Sequence, residues 1–519
     1  MMLEKNKIKK ESLPSLLAHN LGIEYALHVS SEKKKELGQF FTPLPIANLM
    51  ASYASFSNRS VKILDPGCGT LILSCCVIET LILKNPELKT IELVAYETDL
   101  QVINSTKKVL EYLNNWLVGK GISFSYILHE DDFILSNSES LRTNTPSLFD
   151  IIISNPPYFK MSKDDPRVLA SNELISGQPN IYALFMGVAS RMLVKGGEMI
   201  FITPRSFASG NYFRAFRTFF FKTVQLEKVH LFDSRKDAFQ KDKVLQETII
   251  TKAVNTSVSN NAQVALSSCQ GLFDIQTPSI KYYPIHKLVN LDTAEKIIHL
   301  PTSDKDESVL LLVNEWNNTL ADYDIHISTG KVVAFRSLQY IQEIYSSETI
   351  LSPLFWLHNV GKMVLEWPIE VRGKGQYILD ILDSKNILIP NRNYIFLRRF
   401  STKDDKSRLI AAPYFCNHTT AENIGVENKV NYIYRKKGHL DRSEVAGLCG
   451  LLNSSLFDTY FQIFNGNVNV SATELREMKI PKLDEIKTIG NKIILSNDYS
   501  MNNVNCIVNE YFKMQITLS

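Results

Sequence analysis

The residues best equipped for chemistry are Asn155, Pro156, Pro157 and Tyr158. They follow Leu148-Phe149-Asp150-Ile151-Ile152-Ile153-Ser154, an apolar, β-branched run that reads as a buried parallel strand. Proline cannot donate to a sheet ladder, so the strand must end at this point. Asn155 then offers an amide oxygen, Pro156 a backbone carbonyl that no ladder claims, and Tyr158 a flat aromatic face. The two acceptors suit the two N–H groups of an exocyclic amine on a planar ring. Holding them draws the nitrogen lone pair out of conjugation and aims it at an electrophile, while Tyr158 stacks on the ring. No strong base is required, because the nitrogen sheds its proton after becoming positively charged. A bare Pro-Pro turn is usually only a turn; Asn before it and Tyr after it, straight behind a buried strand, are far more specific.

Other reactive or binding residues also fall where strands should end. Val61 to Asp65 reads as a strand, Pro66-Gly67-Cys68-Gly69-Thr70 as a glycine-rich turn, and Leu71 to about Leu83 as an apolar helix. This is the first β–loop–α unit of a doubly wound sheet. Gly67 and Gly69 let a ligand approach the backbone closely. Their spacing is not G-x-G-x-x-G, which argues against a dinucleotide's pyrophosphate. Asp65 can hold a ligand ammonium, directly or through the loop. A strand from Ile91 to Tyr96 ends at Glu97, an acid placed for a ribose diol, although an acid there can equally cap the next helix. A strand from Phe124 to Leu128 leads to Asp132, which can accept from an adenine amine, and Phe133, a flanking ring, although an isolated acidic loop is more often just solvated. Thr42-Pro43 reads as an N-cap with proline in the first turn of a helix through Met50. A helix N-terminus of that kind can hold a carboxylate.

Placing these residues requires an α/β domain with a mainly parallel sheet, and strands alternate with helices as far as residue 254 or so. The polar stretch 159–180 has the makings of a lid beside the site. A helix is expected from Ile181 to Leu193, closed by Gly196-Gly197. The 519 residues suffice for two or three cores. We place an N-terminal helical segment at 1–36, the α/β domain at 37–275 and a further domain at 276–519. In the last, Arg336, Lys362, Arg372, Lys374, Arg392, Arg398 and Arg399 interleave with aromatic residues, a composition suited to phosphate contacts, although composition alone favours the solvated faces of a structural domain. Gly447 to Phe464 reads as one amphipathic helix, and Ser471-Ala472-Thr473-Glu474 as a capping box. A net charge of only +3 means that nucleic acid must be met by a local patch. No apolar run reaches the roughly 18 residues of a membrane span. The seven cysteines form no C-x-x-C pair, so zinc is not expected, and adjacent Cys75 and Cys76 suit reduced, buried thiols in a cytosol.

The order Thr42-Pro43, Asp65 to Gly69, Glu97, Asp132-Phe133, then Asn155 to Tyr158 resembles the amino-group DNA methyltransferases of the gamma class. These include Taq-type adenine methylases and their Eco57I-like relatives. Segments around Arg398 to Lys406, Gly425 to Asn428, and Leu452 through Arg476 resemble the C-terminal halves of those relatives. The resemblance implies a Rossmann-like, S-adenosylmethionine-dependent methyltransferase domain followed by a mixed α+β DNA-recognition domain. It implies methyl transfer to the N6 amine of an adenine flipped out of double-stranded DNA. Thr42 would hold the methionine carboxylate, Asp65 with Gly67 and Gly69 the methionyl end, Glu97 the ribose, and Asp132 with Phe133 the cofactor adenine. Asn155 and Pro156 would bind the target amine, Pro157 would complete the rigid turn, and Tyr158 would stack on one face of the base. Phe239 occupies the position of the family's second base-flanking aromatic. Relatives acting on the N4 amine of cytosine more often carry Ser at the Asn155 position. The resemblance also implies a cytoplasmic protein of a prokaryote, drawn to the nucleoid by DNA, and a monomer or weak dimer. Any restriction endonuclease partner is expected as a separate chain. Competing readings are a protein-glutamine methyltransferase, which shares Asn-Pro-Pro-Tyr but is much shorter, an RNA base methyltransferase, and a DNA-binding module with a vestigial catalytic half.

Overall fold

Nine apolar stretches pair into one sheet in the computed structural model, which describes residues 12–30, 38, 41–143, 148–232, 248–346, 348–400, 407–465 and 470–513. The strands are β1 (Ser60–Pro66), β2 (Thr90–Tyr96), β3 (Ser123–His129), β4 (Phe149–Ser154), β5 (Leu193–Pro204), β6 (Gln225–Phe232), β7 (Thr248–Val254), β8 (Gln263–Cys269) and β9 (Ser279–Pro284). They lie in the order β3-β2-β1-β4-β5-β7-β6-β8-β9. From β3 to β5 every pairing is parallel, and β7 runs antiparallel to both neighbours. The chain fills one side, β1 to β3, before returning to β4 next to β1. That reversal opens a crevice above the carboxyl ends of β1 and β4, where open α/β sheets bind ligands. The central strands have both faces buried: Ile63, Leu64, Ile151, Ile152 and Ile153 have no exposed surface. Each such side chain contributes about 1.5–3 kcal/mol of transfer free energy.

Four helices matter for the site: α1 (Pro14–His28), α2 (Leu44–Ser52), α3 (Ile72–Lys84) and α4 (Leu100–Val118). Helix α1 lies in the expected N-terminal segment but is no appendage; it packs on α3 and α4. Gly196 and Gly197 do not close a helix. The helix spans Ile181–Arg191, and both glycines lie inside β5. Gly196 sits at φ +79°, and a Cβ on Gly197 would come within 2.9 Å of the Phe149 carbonyl oxygen. Here glycine answers a tight strand entry, not a helix exit. No helix among the described residues is long and apolar enough to cross a membrane.

The chain divides into two compact units at Thr302/Ser303, later than the expected boundary near 275. The reason is β9, which pairs antiparallel with β8 and extends the sheet past that point. The second unit has two sheets. One holds β10 (Ile325–Thr329), β15 (Tyr394–Arg398), β16 (Ala411–Tyr414) and β18 (Val430–Arg435). The other holds β11 (Ile341–Gln342), β12 (Leu351–Phe355), β13 (Tyr377–Leu379), β14 (Leu388–Pro390) and β17 (Asn423–Val426). With its C-terminal helices, this is a mixed α+β unit. The single helix expected over 447–464 is two, Arg442–Asn453 and Ser455–Phe464. Ser454 breaks it by turning extended and capping the second helix through Phe457 N–H. The capping box at Ser471 forms with Glu474.

Helix Arg442–Asn453 meets helix Leu483–Ser496 backbone to backbone. A Cβ on Gly447 would lie 2.0 Å from the Ile486 carbonyl oxygen, and one on Gly490 2.0 Å from that of Ser443. Gly447→Ala therefore forces the helices apart. The expected loss is about 1–3 kcal/mol, measured by denaturant unfolding of the full chain against wild type.

Candidate active site

A cavity of about 710 Å³ opens at the carboxyl ends of β1, β2 and β4, within the ~300–1,000 Å³ typical of small-molecule sites. Of the residues singled out from sequence, Thr42, Gly67, Gly69, Glu97, Asp132, Phe133, Asn155 and Pro157 line it. Asp65, Pro156 and Tyr158 do not. Phe239 lies outside the described residues.

The glycine turn is built to expose backbone. Gly67 and Gly69 adopt φ of +74° and +54°, the left-handed region that L side chains resist. Cys68 N–H donates to the Tyr96 carbonyl at 2.9 Å, and Gly69 N–H to Glu97 Oε2 at 3.0 Å. Asp65 is fully buried beneath this turn; Ser74 Oγ donates to its Oδ2 at 2.5 Å, and among the described residues its Oδ1 has no hydrogen-bond partner. The cavity reaches the loop, not the carboxylate.

Burial pushes the Asp65 carboxyl up to about 7 from 3.8, against the hydrogen bonds from Ser74. A raised folded-state value means the folded protein holds this proton more tightly than the unfolded chain. The associated stability is full below about pH 3.8 and is lost as pH rises through about 7. Asp65→Asn should remove this titration. The expected result is that denaturant midpoints of wild type fall relative to the variant between about pH 4 and about pH 7, a tenfold difference in proton affinity being worth about 1.4 kcal/mol.

Glu97 ends β2 and binds three backbone donors. Its Oε1 accepts from Thr98 and Asp99 N–H, both at 2.8 Å, and its Oε2 from Gly69. The carboxylate thus ties the second strand's tip to the glycine turn while facing the cavity. Burial raises its pKa, and the three N–H bonds oppose the rise. The adjacent helix α4 is capped by Asp99, not Glu97. Asp132 caps the short helix Phe133–Asn137 through Leu135 N–H at 3.0 Å. The turn thereby fixes both the acid and the buried Phe133 ring, which meets Tyr96 edge-on.

Asn155 stands at the tip of β4 with both ends of its amide engaged. Its Nδ2 donates to Thr42 Oγ1 at 3.0 Å, and its Oδ1 accepts from the Tyr158 hydroxyl at 2.6 Å. The Ile202 carbonyl is a second acceptor for that hydroxyl, at 2.9 Å. Thr42 is not the expected N-cap. Helix α2 begins at Leu44 behind Pro43 and has no side-chain cap; Thr42 points its oxygen at Asn155 instead. The Gly38 carbonyl, from a residue at φ +59°, accepts from Tyr158 N–H, and a Cβ on Gly38 would lie 2.8 Å from that nitrogen. The two segments therefore meet with no room for a side chain between them.

Several wall residues escape a reading of the sequence: Phe41, Asp99, Asp131, Phe159, Arg167 and Phe185. Tyr25 of α1 donates to Asp99 and meets Phe41 edge-on, so the N-terminal helix braces the cavity. Segment 159–180 is pinned at its base by Met161 N–H to the Pro179 carbonyl and Ile181 N–H to the Phe159 carbonyl. From it, Arg167 sits over the Phe159 ring, paired with Asp165 and 3.6 Å from Asp132. Among the described residues, the wall carries Glu97, Asp99, Asp131 and Asp132 against the single cation of Arg167. That balance suits a ligand with hydroxyl donors and a positive centre. Among the described residues, no three His, Cys, Asp or Glu side chains are grouped to hold a metal.

The strand order, the antiparallel β7 and the crevice define a Rossmann-like, doubly wound α/β fold. Residues 80–239 match the family model described as Eco57I restriction-modification methylase. The chain is 30% identical over 484 residues to the type II methyltransferase M.PstI of Providencia stuartii, covering 93% of this chain and 94% of that protein. It is 31% identical over 475 residues to the type II methyltransferase M.BsuBI of Bacillus subtilis, covering 89% and 91%. The cryo-EM structure of the DrdV–DNA complex shares its fold at a TM-score of 0.50 and 12% identity, over 92% of this chain and 59% of that one. The chain belongs to the type II methyltransferases of restriction–modification systems.

Proposed function

We propose that the protein methylates the N6 amine of an adenine flipped out of double-stranded DNA, with S-adenosylmethionine as donor, as the modification half of a restriction–modification system. The observation that carries this reading is the position of Asn155. It shares one cavity wall with Thr42, the glycine turn, Glu97 and Asp132.

The residues present fit the cofactor. Thr42 is a buried hydroxyl for the carboxylate, and the exposed backbone of Gly67 and Gly69 admits the methionyl chain above Asp65. Glu97 has one acceptor site for a ribose hydroxyl beyond the three given to backbone N–H groups. Asp132 and Phe133 take the adenine amine and ring. The cofactor's contribution is an electrophilic methyl group on a sulfonium. The chain's task is to bring one amine to that methyl in line, so orientation supplies most of the rate.

Asn155 Oδ1 and the Pro156 carbonyl accept the two amine hydrogens. An amide oxygen has two lone pairs, and the Tyr158 hydroxyl can turn its hydrogen bond wholly to the Ile202 carbonyl, so Asn155 can receive the amine without disturbing the turn. Pro156 and Pro157 hold that turn rigid. Tyr158 stacks on one face of the base, and Phe239 closes the other. Flipping costs a few kcal/mol, offset by stacking and edge contacts in the pocket. Asn at the first motif position favours adenine over cytosine. On the DNA side, Lys374 and Arg398 both act on His358, and Lys374 and Lys429 on Glu427. Cations far apart in sequence thus gather in the second unit, as phosphate binding requires. Any endonuclease partner is a separate protein.

The test is nucleoside analysis of unmodified DNA incubated with protein and S-adenosylmethionine. N6-methyladenine is expected. N4-methylcytosine alone would move the target to the other amine and overturn the reading.

A further inference from the structure

Thr42 is 4% exposed, lines the cavity, and accepts the Asn155 Nδ2 hydrogen at 3.0 Å. Among the described residues, its own hydroxyl proton has no acceptor. A buried hydroxyl that accepts but does not donate is half-satisfied, and the ligand in the cavity is the natural source of the missing acceptor. The consequence reaches Asn155. Alone, the Thr42 hydroxyl can rotate and donate to an amide oxygen, so either orientation of the Asn155 amide finds a partner. Once the hydroxyl proton is given to a ligand oxygen, Thr42 can only accept. Asn155 must then turn its NH2 toward Thr42 and its oxygen toward the base side.

We propose that Thr42 is a positioning residue that couples the two substrates: a carboxylate bound at Thr42 locks Asn155 in the orientation that receives the target amine. This rests on the function proposed above and adds to it a mechanism of communication between cofactor and base. By linkage, a ligand with that carboxylate raises affinity for the flipped base, and the flipped base raises affinity for the ligand by the same factor. A ligand with the adenosine but without the carboxylate does neither.

Two probes separate the cases. S-adenosylhomocysteine carries the amino-acid end; 5′-methylthioadenosine has the same adenosine and thioether but lacks the carboxylate. A duplex bearing the recognition site, mapped from wild-type methylation, would carry 2-aminopurine at the target position. DNA affinity and 2-aminopurine fluorescence would be read for wild type, Thr42→Ser and Thr42→Val, with each probe saturating. In wild type, S-adenosylhomocysteine should tighten DNA binding by about 5- to 150-fold, the usual range of coupling, and raise the fluorescence. 5′-Methylthioadenosine should do neither. Thr42→Ser should keep the difference between the probes. Thr42→Val should lose it while binding 5′-methylthioadenosine as wild type does, which also shows that the variant is folded. Equal effects of the two probes on wild type would overturn the coupling, as would an undiminished difference in Thr42→Val. Failure of the underlying function looks different: wild type would then methylate no DNA at all.

Discussion

Asn155→Ala is expected to slow methyl transfer by about 10²–10³-fold, the usual cost of removing one preorganised hydrogen-bonding group from a reacting centre. The loss should fall on the chemical step. In the proposed reaction Asn155 meets the target amine through an oxygen whose placement comes from Thr42 on one side and Tyr158 on the other. Alanine leaves the Pro156 carbonyl to hold the amine alone, and the nitrogen lone pair loses its aim. The fold should survive, since the Tyr158 hydroxyl keeps the Ile202 carbonyl. Cofactor affinity should change little, because the residues proposed to bind it, apart from the polar contact to Thr42, are untouched. Single-turnover kinetics with saturating cofactor and DNA give the rate directly. A loss under about tenfold would remove Asn155 from the reacting centre.

Glu97→Ala should weaken cofactor binding by about 10²-fold or more and destabilise the first unit. Its carboxylate serves three backbone N–H groups, on Gly69, Thr98 and Asp99. Each donor left unmet costs about 1–3 kcal/mol unless water replaces the acceptor. Loss of the Gly69 bond also frees the turn proposed to receive the cofactor. Two losses would therefore coincide, the proposed ribose acceptor and the shape of the loop. Titration calorimetry with S-adenosylhomocysteine measures the first, and thermal unfolding without ligand the second. Glu97→Gln keeps one acceptor oxygen but turns an NH2 toward backbone N–H groups, and should fall between. An affinity within about threefold of wild type in the alanine variant would exclude the ribose role.

How much of this is legible in the sequence depends on locality. The strand tips are legible because an apolar run that stops at a glycine turn, an acid or a proline announces itself within a few residues. Gly67, Glu97 and Asn155 sit at one sheet edge for that reason. Thr42 misleads as a cap. Its neighbour Pro43 imitates a helix start, whereas its partner Asn155 is 113 positions away in the chain. Phe41 and Asp99 lie outside helices and strands, Arg167 lies in the short helix Pro166–Ala170, and only tertiary structure brings Tyr25 to Asp99 or Arg167 to Asp132. Gly196-Gly197 misleads because glycine ends helices and also fills tight strand entries, and local sequence does not distinguish the two. A boundary at 275 falls too early because β9 is half exposed and buries only Tyr283, so its apolar signature is weak.

The most direct test of the central claim follows the methyl group itself. Protein and radiolabelled S-adenosylmethionine would be mixed, in separate reactions, with unmodified genomic DNA, total RNA and a protein extract. Label is expected in DNA alone. Label in RNA or in protein, with none in DNA, would contradict the account.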